Sequence, residues 1–236
     1  MIKVLVACEE SQAVTMAFRA LGHEAYSCDI QACSGGHPEW HVMGDCLPLL
    51  AGCLDFVTQG GVKVCLKTEW DIIIAHPPCT YLSNLGSKHL FYGTERITRS
   101  NDVFRYMNEE RVKKAILARD FFLRMLNAPC RRIAVENPVP TRLWQLPEPS
   151  QMIQPWMFGD EYKKKTYLWL KGLPPLMPSE LSLPQARWVD GGHKGTDTMK
   201  VFGFRDAKTR SKTFPGIARA MADQWGAFVE EKEENE

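Results

Sequence analysis

The sequence predicts an α/β protein built on a doubly wound, mostly parallel sheet. Three observations carry that expectation. Short apolar runs rich in β-branched residues (Ile2 to Ala7, Ile72 to Ala75, Ile133 to Val135) suit strands buried on both faces. Amphipathic stretches of helical period lie between them. The first strand leads through a helix to a second strand tipped with an acid, the opening of a βαβ unit.

A chain of 236 residues can bury a full α/β core. We expect one domain over residues 1–229, with 171–213 an irregular basic insertion and 230–236 an acidic, disordered tail. A net charge of +1 sets up no global field toward nucleic acid or membrane, so any basic surface must be local. Eight cysteines in so long a chain are not a small-domain disulfide framework. No apolar stretch approaches the roughly 20 residues that span a bilayer. Met1 to Ala7 reads as a strand and not as a signal peptide, so a reducing cytoplasm with free thiols is expected.

Met1 to Cys8 forms the first strand, and Gln12 to Ala20 the first helix, apolar at Val14, Met16, Ala17 and Phe18 and ended by Gly22. Glu24 to Asp29 is the second strand. Asp29 is placed either to bond a ribose hydroxyl or to sit in a solvated loop. The turn from Ala7 to Gln12 holds no glycine, and Glu9 and Glu10 occupy the helix entry where a pyrophosphate would bind. Those acids argue against NAD, FAD or ATP there and suit a cofactor end carrying positive charge. Cys33, His37, His41 and Cys46 match no usual zinc spacing, so a solvated loop is expected, followed by a short helix or third strand between Cys46 and Val57.

The strand at Trp70 to Ala75 stops at Pro77-Pro78, and Cys79 follows in a stiff, defined direction. That thiol is either a nucleophile at the sheet's mouth or a small buried apolar residue. Asn84 to Met107 lacks periodicity and suits a binding loop or a disordered segment. Asn108-Glu109-Glu110 caps a helix that recurs at Val112, Ala115, Ala118, Phe122, Met125 and Leu126 and ends at Pro129. Arg131 to Pro138 repeats the earlier grammar, a strand ending in Glu136-Asn137-Pro138. Two such tips can converge, placing a carboxyl beside a thiol, with burial expected to raise the carboxyl's pKa. The alternative is that Asn137-Pro138 is only a turn.

Residues 139–160 are irregular, and Lys163-Lys164-Lys165 lead into a strand at Tyr167 to Leu170. Gly191 to Thr213 carries six Lys or Arg against two Asp, suited either to phosphates or to a mobile solvated loop. Phe214-Pro215-Gly216 opens the last helix, apolar at Ile217, Ala218, Met221, Ala222, Trp225 and Phe228.

In this order the motifs resemble those of the DNA cytosine-5 methyltransferases, especially short phage- and prophage-type members. Pro77-Pro78-Cys79 with Ser83 resembles the catalytic Pro-Pro-Cys motif, and Glu136-Asn137-Pro138 the Glu-Asn-Pro motif. Asp29 and Gly44-Asp45 resemble the cofactor-binding acids, Cys8 to Gln12 takes the place of the cofactor loop, and Thr213 to Gly226 is similar to the C-terminal motif. The resemblance runs from Met1 to about Trp169 and resumes near Thr213. It implies a class I S-adenosylmethionine-dependent methyltransferase fold, methyl transfer to cytosine C5 in duplex or single-stranded DNA, and a host-cell cytoplasmic location if phage-encoded. Cys79 would attack C6 and Glu136 support N3, with Ser83 beside them. Cofactor contacts are implied for Cys8, Glu9, Ser11, Asp29, Ile30, Asp45, Cys46 and Pro77. Substrate contacts are implied for Pro78, Asn137, Lys165, Lys88 and Arg99, and no metal takes part. Three departures stand out. The Phe-x-Gly-x-Gly loop is absent, Lys163 to Lys165 stand where Gln-x-Arg-x-Arg is usual, and only about 40 residues separate Leu170 from Thr213, where a target-recognition domain would lie. Low or short sequence specificity is therefore expected, the alternatives being a free cytosine nucleotide or RNA as substrate, or a fold that binds without turnover.

Overall fold

The computed structural model describes residues 1–87, 89–90, 107–179, 187–188 and 212–233. Its main sheet is assembled from β1 (Lys3–Ala7), β2 (Glu24–Asp29), β3 (His41–Met43), β6 (Ile72–Ala75), β7 (Ile133–Pro138), β8 (Gln151–Ile153) and β10 (Thr166–Lys171). Two small pairs lie apart from it: the hairpin β4 (Asp55–Val57) with β5 (Lys63–Cys65), and β9 (Tyr162–Lys163) with β11 (Arg187–Trp188). The seven strands run in the order β3-β2-β1-β6-β7-β10-β8. Pairings from β3 to β7 are parallel, while β10 is antiparallel to both β7 and β8. The predicted doubly wound, mostly parallel sheet is what forms.

Helices cover both faces. α1 (Ala13–Ala20), α5 (Pro215–Ala220), a π-helical turn at Met221–Trp225 and α6 (Gly226–Glu233) lie on one side. There Val4, Val6, Ile72 and Ile74 pack with Phe18, Ile217 and Trp225. The other side holds α2 (Leu47–Leu50) and α4 (Glu109–Leu126), where Leu5, Ala7, Ile73, Ile133 and Val135 meet Phe122, Met125 and Trp169. Adjacent strand residues thus serve opposite layers, and burying each large aliphatic contributes about 1.5–3 kcal/mol. Asn108 caps α4 as its sequence suggests, its side chain accepting from the Arg111 N–H at 3.1 Å. Among the described residues no helix is long and apolar enough to cross a membrane.

Three expectations change. His41–Met43 is strand β3 and not part of a solvated loop, because His41 is a satisfied core residue. Its Nδ1 shares a hydrogen bond with Ser27 Oγ at 2.8 Å, and its Nε2 one with the Gln31 carbonyl at 2.9 Å. The stretch after α2 forms the β4–β5 hairpin outside the main sheet, a device whose short strands gave no alternating signal. Glu230 to Glu233 are helical and not a disordered tail. Val229 is fully buried beneath them, and Glu230 meets the amino terminus at 3.0 Å.

Phe122 meets the buried Trp169 ring edge-on, with centroids 4.9 Å apart. Phe122→Ala should lower unfolding stability by roughly 3–5 kcal/mol in a urea titration. A loss below about 1 kcal/mol would show that α4 does not hold that face of the sheet.

Candidate active site

The strand order reverses between β1 and β6: the chain moves outward through β2 and β3, returns beside β1 as β6, and continues to β7. Ligands of doubly wound sheets bind beyond the carboxyl ends of the strands at such a reversal. Cys8 and Glu9 follow β1 there, and His76 to Cys79 follow β6. Glu136 lies on the next strand. Because β10 is antiparallel, its amino end reaches the same edge, with Thr166 opposite Pro138.

The two strand tips are laced together. Asn137 Nδ2 donates to the Pro77 carbonyl at 3.2 Å, the Asn84 N–H to the Val139 carbonyl at 2.9 Å, and the Thr141 N–H to the Leu82 carbonyl at 2.9 Å. Ser83 forms a β-bridge with Pro140. The Cys79 carbonyl accepts from the N–H groups of Leu82 at 3.1 Å and Ser83 at 3.0 Å, closing a turn directly after the thiol. Arg111 of α4 clamps this turn, its Nη2 donating to the carbonyls of Thr80 at 3.1 Å and Gly86 at 3.3 Å. Its guanidinium also lies 5.0 Å over the Tyr81 ring.

Two of the implied site residues take part in this lacing. Asn137 is completely buried, and its Nδ2 joins the two tips while its Oδ1 has no hydrogen-bond partner among the described residues. Ser83 is buried, and its Oγ accepts from the Gly86 N–H at 3.3 Å at the short helix α3 (Asn84–Ser87).

At the centre stand Cys79, Glu136, His76 and Lys164. His76 Nδ1 lies 3.1 Å from Glu136 Oε2, and both side chains are largely buried. A carboxylate can only accept, so Nδ1 carries the proton of that bond. Burial pushes the Glu136 carboxyl up, but the His76 hydrogen bond and the Lys164 charge outweigh it and hold the group below its ordinary value. The expected raised carboxyl is thus reversed, because partners and not burial decide it. Cys79 moves the other way: burial and then the Glu136 charge push the thiol up, with Lys164 opposing. The resting pair is a neutral thiol beside an ionised carboxylate.

Lys164 supplies the cation, whereas Lys165, implied as the substrate contact, is exposed. Sequence reasoning missed His76 entirely, although a histidine on the strand tip directly before Pro77-Pro78-Cys79 was a readable signal. Pro77 is buried and Pro78 exposed. Lys88 and Arg99 lie outside the described residues, as do Lys194, Lys200, Arg205, Lys208 and Arg210.

The glycine-free turn after β1 takes the shape a glycine turn would have. Cys8 and Gln12 both adopt the left-handed region, with φ of 59° and 61°. Gln12 is fully buried and locks the turn in place. Its Nε2 donates to the His37 carbonyl at 2.8 Å, and its Oε1 accepts from the His37 N–H at 3.1 Å. Gly35 presses on this turn: a Cβ there would stand 2.6 Å from the Ser11 carbonyl oxygen. Glu9 is occupied internally. Its carboxylate accepts from the Val14 N–H at 2.6 Å, the Thr15 N–H at 3.2 Å and the Thr15 hydroxyl at 2.7 Å. It therefore satisfies opening donors of α1 from within the chain. Burial pushes this carboxyl up, against the pull of the His76 charge and those bonds.

A hydrogen bond between the Cys8 and Cys46 thiols, and then burial, push Cys8 up, while the same bond draws Cys46 down against its own burial. Burial takes the neighbouring Cys28 to about 12. Asp29 ends β2 half-buried, its Oδ1 accepting from the Gln31 N–H at 2.8 Å. Ile30 beside it is 79% exposed, and Asp45 is exposed with Oδ1 accepting from the Leu47 N–H at 3.0 Å.

No protein-family model matches the chain, and no curated protein matches it either. Among solved structures it is similar to a protein assigned as a DNA modification methyltransferase encoded within prophage Cp (E. coli). That likeness has 11% identity and a TM-score of 0.45 over 77% of this chain and 52% of the other. Entamoeba histolytica methyltransferase EhMeth is similar at 13% identity and a TM-score of 0.37, over 80% of this chain and 57% of the other. The chain spans a little over half the length of these proteins. Likenesses this distant leave the fold to rest on the strand order with its reversed β10, the class I methyltransferase-type sheet expected from the sequence.

Opposed charges on either side of Cys79 make its reactivity adjustable in both directions. Glu136→Gln removes a charge that raises the thiol, and should speed iodoacetamide labelling of Cys79 at pH 8 by roughly three- to tenfold, the size of a coulombic effect near 1 kcal/mol. Lys164→Gln should slow it. Peptide mass spectrometry of labelled Cys79 reads both rates, and equal rates in all three proteins would remove the charge coupling.

Proposed function

We propose that this protein transfers a methyl group from S-adenosylmethionine to C5 of cytosine in DNA, through a covalent adduct on Cys79. The single observation behind the reading is the convergence of Cys79 and Glu136 at adjacent strand tips of the sheet reversal, with Lys164 beside both. A thiol nucleophile, a carboxyl partner and a cation are what addition to C6 of a pyrimidine needs.

The residues beyond β1 and β2 fit the cofactor. The α1 N-terminus is already capped by Glu9, so this edge suits a ligand without phosphates. Asp29 has an oxygen to accept a ribose hydroxyl, exposed Ile30 offers apolar cover for an adenine, and Asp45 lies at the same edge. S-adenosylmethionine, when bound, supplies an electrophilic methyl group on positively charged sulfur.

On the protein's side, Cys79 Sγ bonds to C6 and the C5=C6 electron pair shifts into the ring. N3 gains a proton opposite Glu136, and C5 becomes nucleophilic. Once C5 is methylated, loss of its proton expels the thiolate and restores aromaticity. A cytosine in duplex DNA must leave the stack to reach Cys79. Only about 40 residues lie between β10 and Thr213, which supports low or short sequence specificity.

Tritiated methyl transfer to duplex DNA, single-stranded DNA, RNA and dCMP in parallel, with nucleoside analysis, tests the reading and its substrate. We expect 5-methylcytosine from DNA and a denaturation-resistant complex with 5-fluorocytosine DNA. Cys79→Ala should abolish both, by at least about a thousandfold in rate, as removal of a covalent nucleophile does. Methylation that survives this substitution would end the covalent mechanism; product only from RNA or dCMP would reassign the substrate.

A further inference from the structure

Away from Cys79, three thiols gather where the first three strands end. Cys8 follows β1, Cys28 stands on β2 before Asp29, and Cys46 follows β3. Strands that flank a common neighbour lie about 10 Å apart, too far for a disulfide between them. Past the strand ends the chains bend toward each other. Cys8 turns through a φ of 59°, and the N–H of the next residue, Glu9, donates to the Cys28 carbonyl at 3.2 Å. On the other side the Gly44 N–H, two residues before Cys46, donates to the Asp29 carbonyl at 2.9 Å. Both cysteines are thereby tied to the tip of β2, and their thiols meet in a hydrogen bond. Cys28 does not compete. Its Sγ donates to the Gly44 carbonyl at 3.6 Å, and burial keeps the proton on that sulfur.

We propose that Cys8 and Cys46 are an oxidation site: hydrogen peroxide closes them into a reversible disulfide that shifts the turn after β1 and weakens cofactor binding at this edge. The site is separate from Cys79; only its effect on the cofactor rests on the methyl-transfer reading. The hydrogen bond from Cys8 draws the Cys46 thiol below its ordinary value against burial, so Cys46 is the sulfur that reaches the nucleophilic thiolate. Its Sγ bonds to one peroxide oxygen as the O–O bond breaks. Cys46 becomes a sulfenic acid, and the departing hydroxide takes up the proton that Cys46 lost, leaving as water. Cys8 Sγ then bonds to Cys46 Sγ as the S–O bond breaks, and the released hydroxyl leaves as water with the Cys8 proton. Two thiols are oxidised to one disulfide, and one peroxide is reduced to two waters.

The bridge would join two sides of the edge proposed for the cofactor. Asp29 adjoins Cys28 beneath it, and Asp45 adjoins Cys46. Closing the bond draws the sulfurs inside hydrogen-bonding separation. Cys46 is anchored at the entry of α2, where its carbonyl accepts from the Leu50 N–H at 2.9 Å, so the adjustment falls on Cys8 and its turn. Linkage makes the effect mutual, since a cofactor that prefers the reduced form disfavours the disulfide to the same degree. Passive packing is the alternative, because Cys28 and Cys46 lie among Leu49, Leu50 and Leu66 and cysteine serves as a small apolar residue. Packing alone predicts no preferred pairing of Cys8 with Cys46.

The test treats the reduced full chain with hydrogen peroxide, quenches with catalase, and alkylates remaining thiols in denaturant before peptide mass spectrometry. Expected is a peptide linking Cys8 to Cys46 that dithiothreitol releases. In Cys8→Ser, dimedone should trap the sulfenic acid on Cys46. Calorimetry with S-adenosylmethionine should show roughly tenfold weaker binding after oxidation, restored by dithiothreitol. Cys46→Ala, which cannot form the bridge, should bind equally before and after peroxide, separating this effect from oxidation of other cysteines. Cys8 and Cys46 recovered as separate alkylated peptides, or joined to Cys28, would overturn the site. No dimedone label on Cys46 would overturn it as the attacking sulfur. A bridged protein that binds as tightly as the reduced one would overturn the coupling. No heat of binding to the reduced protein would instead count against the methyl-transfer reading, while the linked peptide still decides the disulfide.

Discussion

The parallel pairing of β6 with β7 is the constraint on which the rest depends. Ile73, Ile74 and Ala75 face Ile133, Ala134 and Val135, so the strands leave the sheet side by side, one toward Cys79 and the other through Glu136. A shift of one residue would turn Glu136 to the opposite face, since side chains alternate along a strand. The buried isoleucines on both faces forbid that shift. Register set by the core thereby decides which functional groups meet at the edge. The Asn137–Pro77 bond and the lacing of Ser83, Asn84 and Thr141 then hold the tips at fixed separation.

Within that frame, electrostatics divide labour between two groups that burial would otherwise treat alike. Desolvation disfavours charge on both Cys79 and Glu136. His76 bonds to Glu136 and Lys164 acts on both, so the available counter-charge settles on the carboxyl. The thiol stays protonated, and its own neighbour Glu136 reinforces that state. A thiol held protonated in this way reacts slowly with electrophiles at rest, because the thiolate is the nucleophile.

Most of the frame was legible in the sequence, because strands buried on both faces leave continuous β-branched runs and α4 carries its cap and apolar period openly. The acid-tipped second strand runs from Glu24 to Asp29 as expected. What could not be read was partnership across the sheet. Whether Glu136 is raised or lowered depends on His76, which is 60 residues away. The choice of Lys164 over Lys165 depends on the entry into β10, where neighbours in sequence differ in exposure. His41 lay in a stretch without periodicity, and its burial rests on Ser27 and Gln31, two bonds that no local pattern announces.

The glycine-free turn after β1 shows how a missing motif can conceal a kept shape. A left-handed conformation at a residue with a side chain costs on the order of 1 kcal/mol or more, and this turn holds it at both Cys8 and Gln12. The cost persists because the side chains are themselves the fastening. Gln12 bonds both backbone groups of His37, and Glu9 satisfies the opening donors of α1. A glycine at position 12 would relieve the strain and release the 34–37 segment in the same stroke. With a carboxylate already at the helix entry, the α1 donors that a phosphate takes in glycine turns are occupied from within the chain, and Asp29 and exposed Ile30 follow β2 beside it.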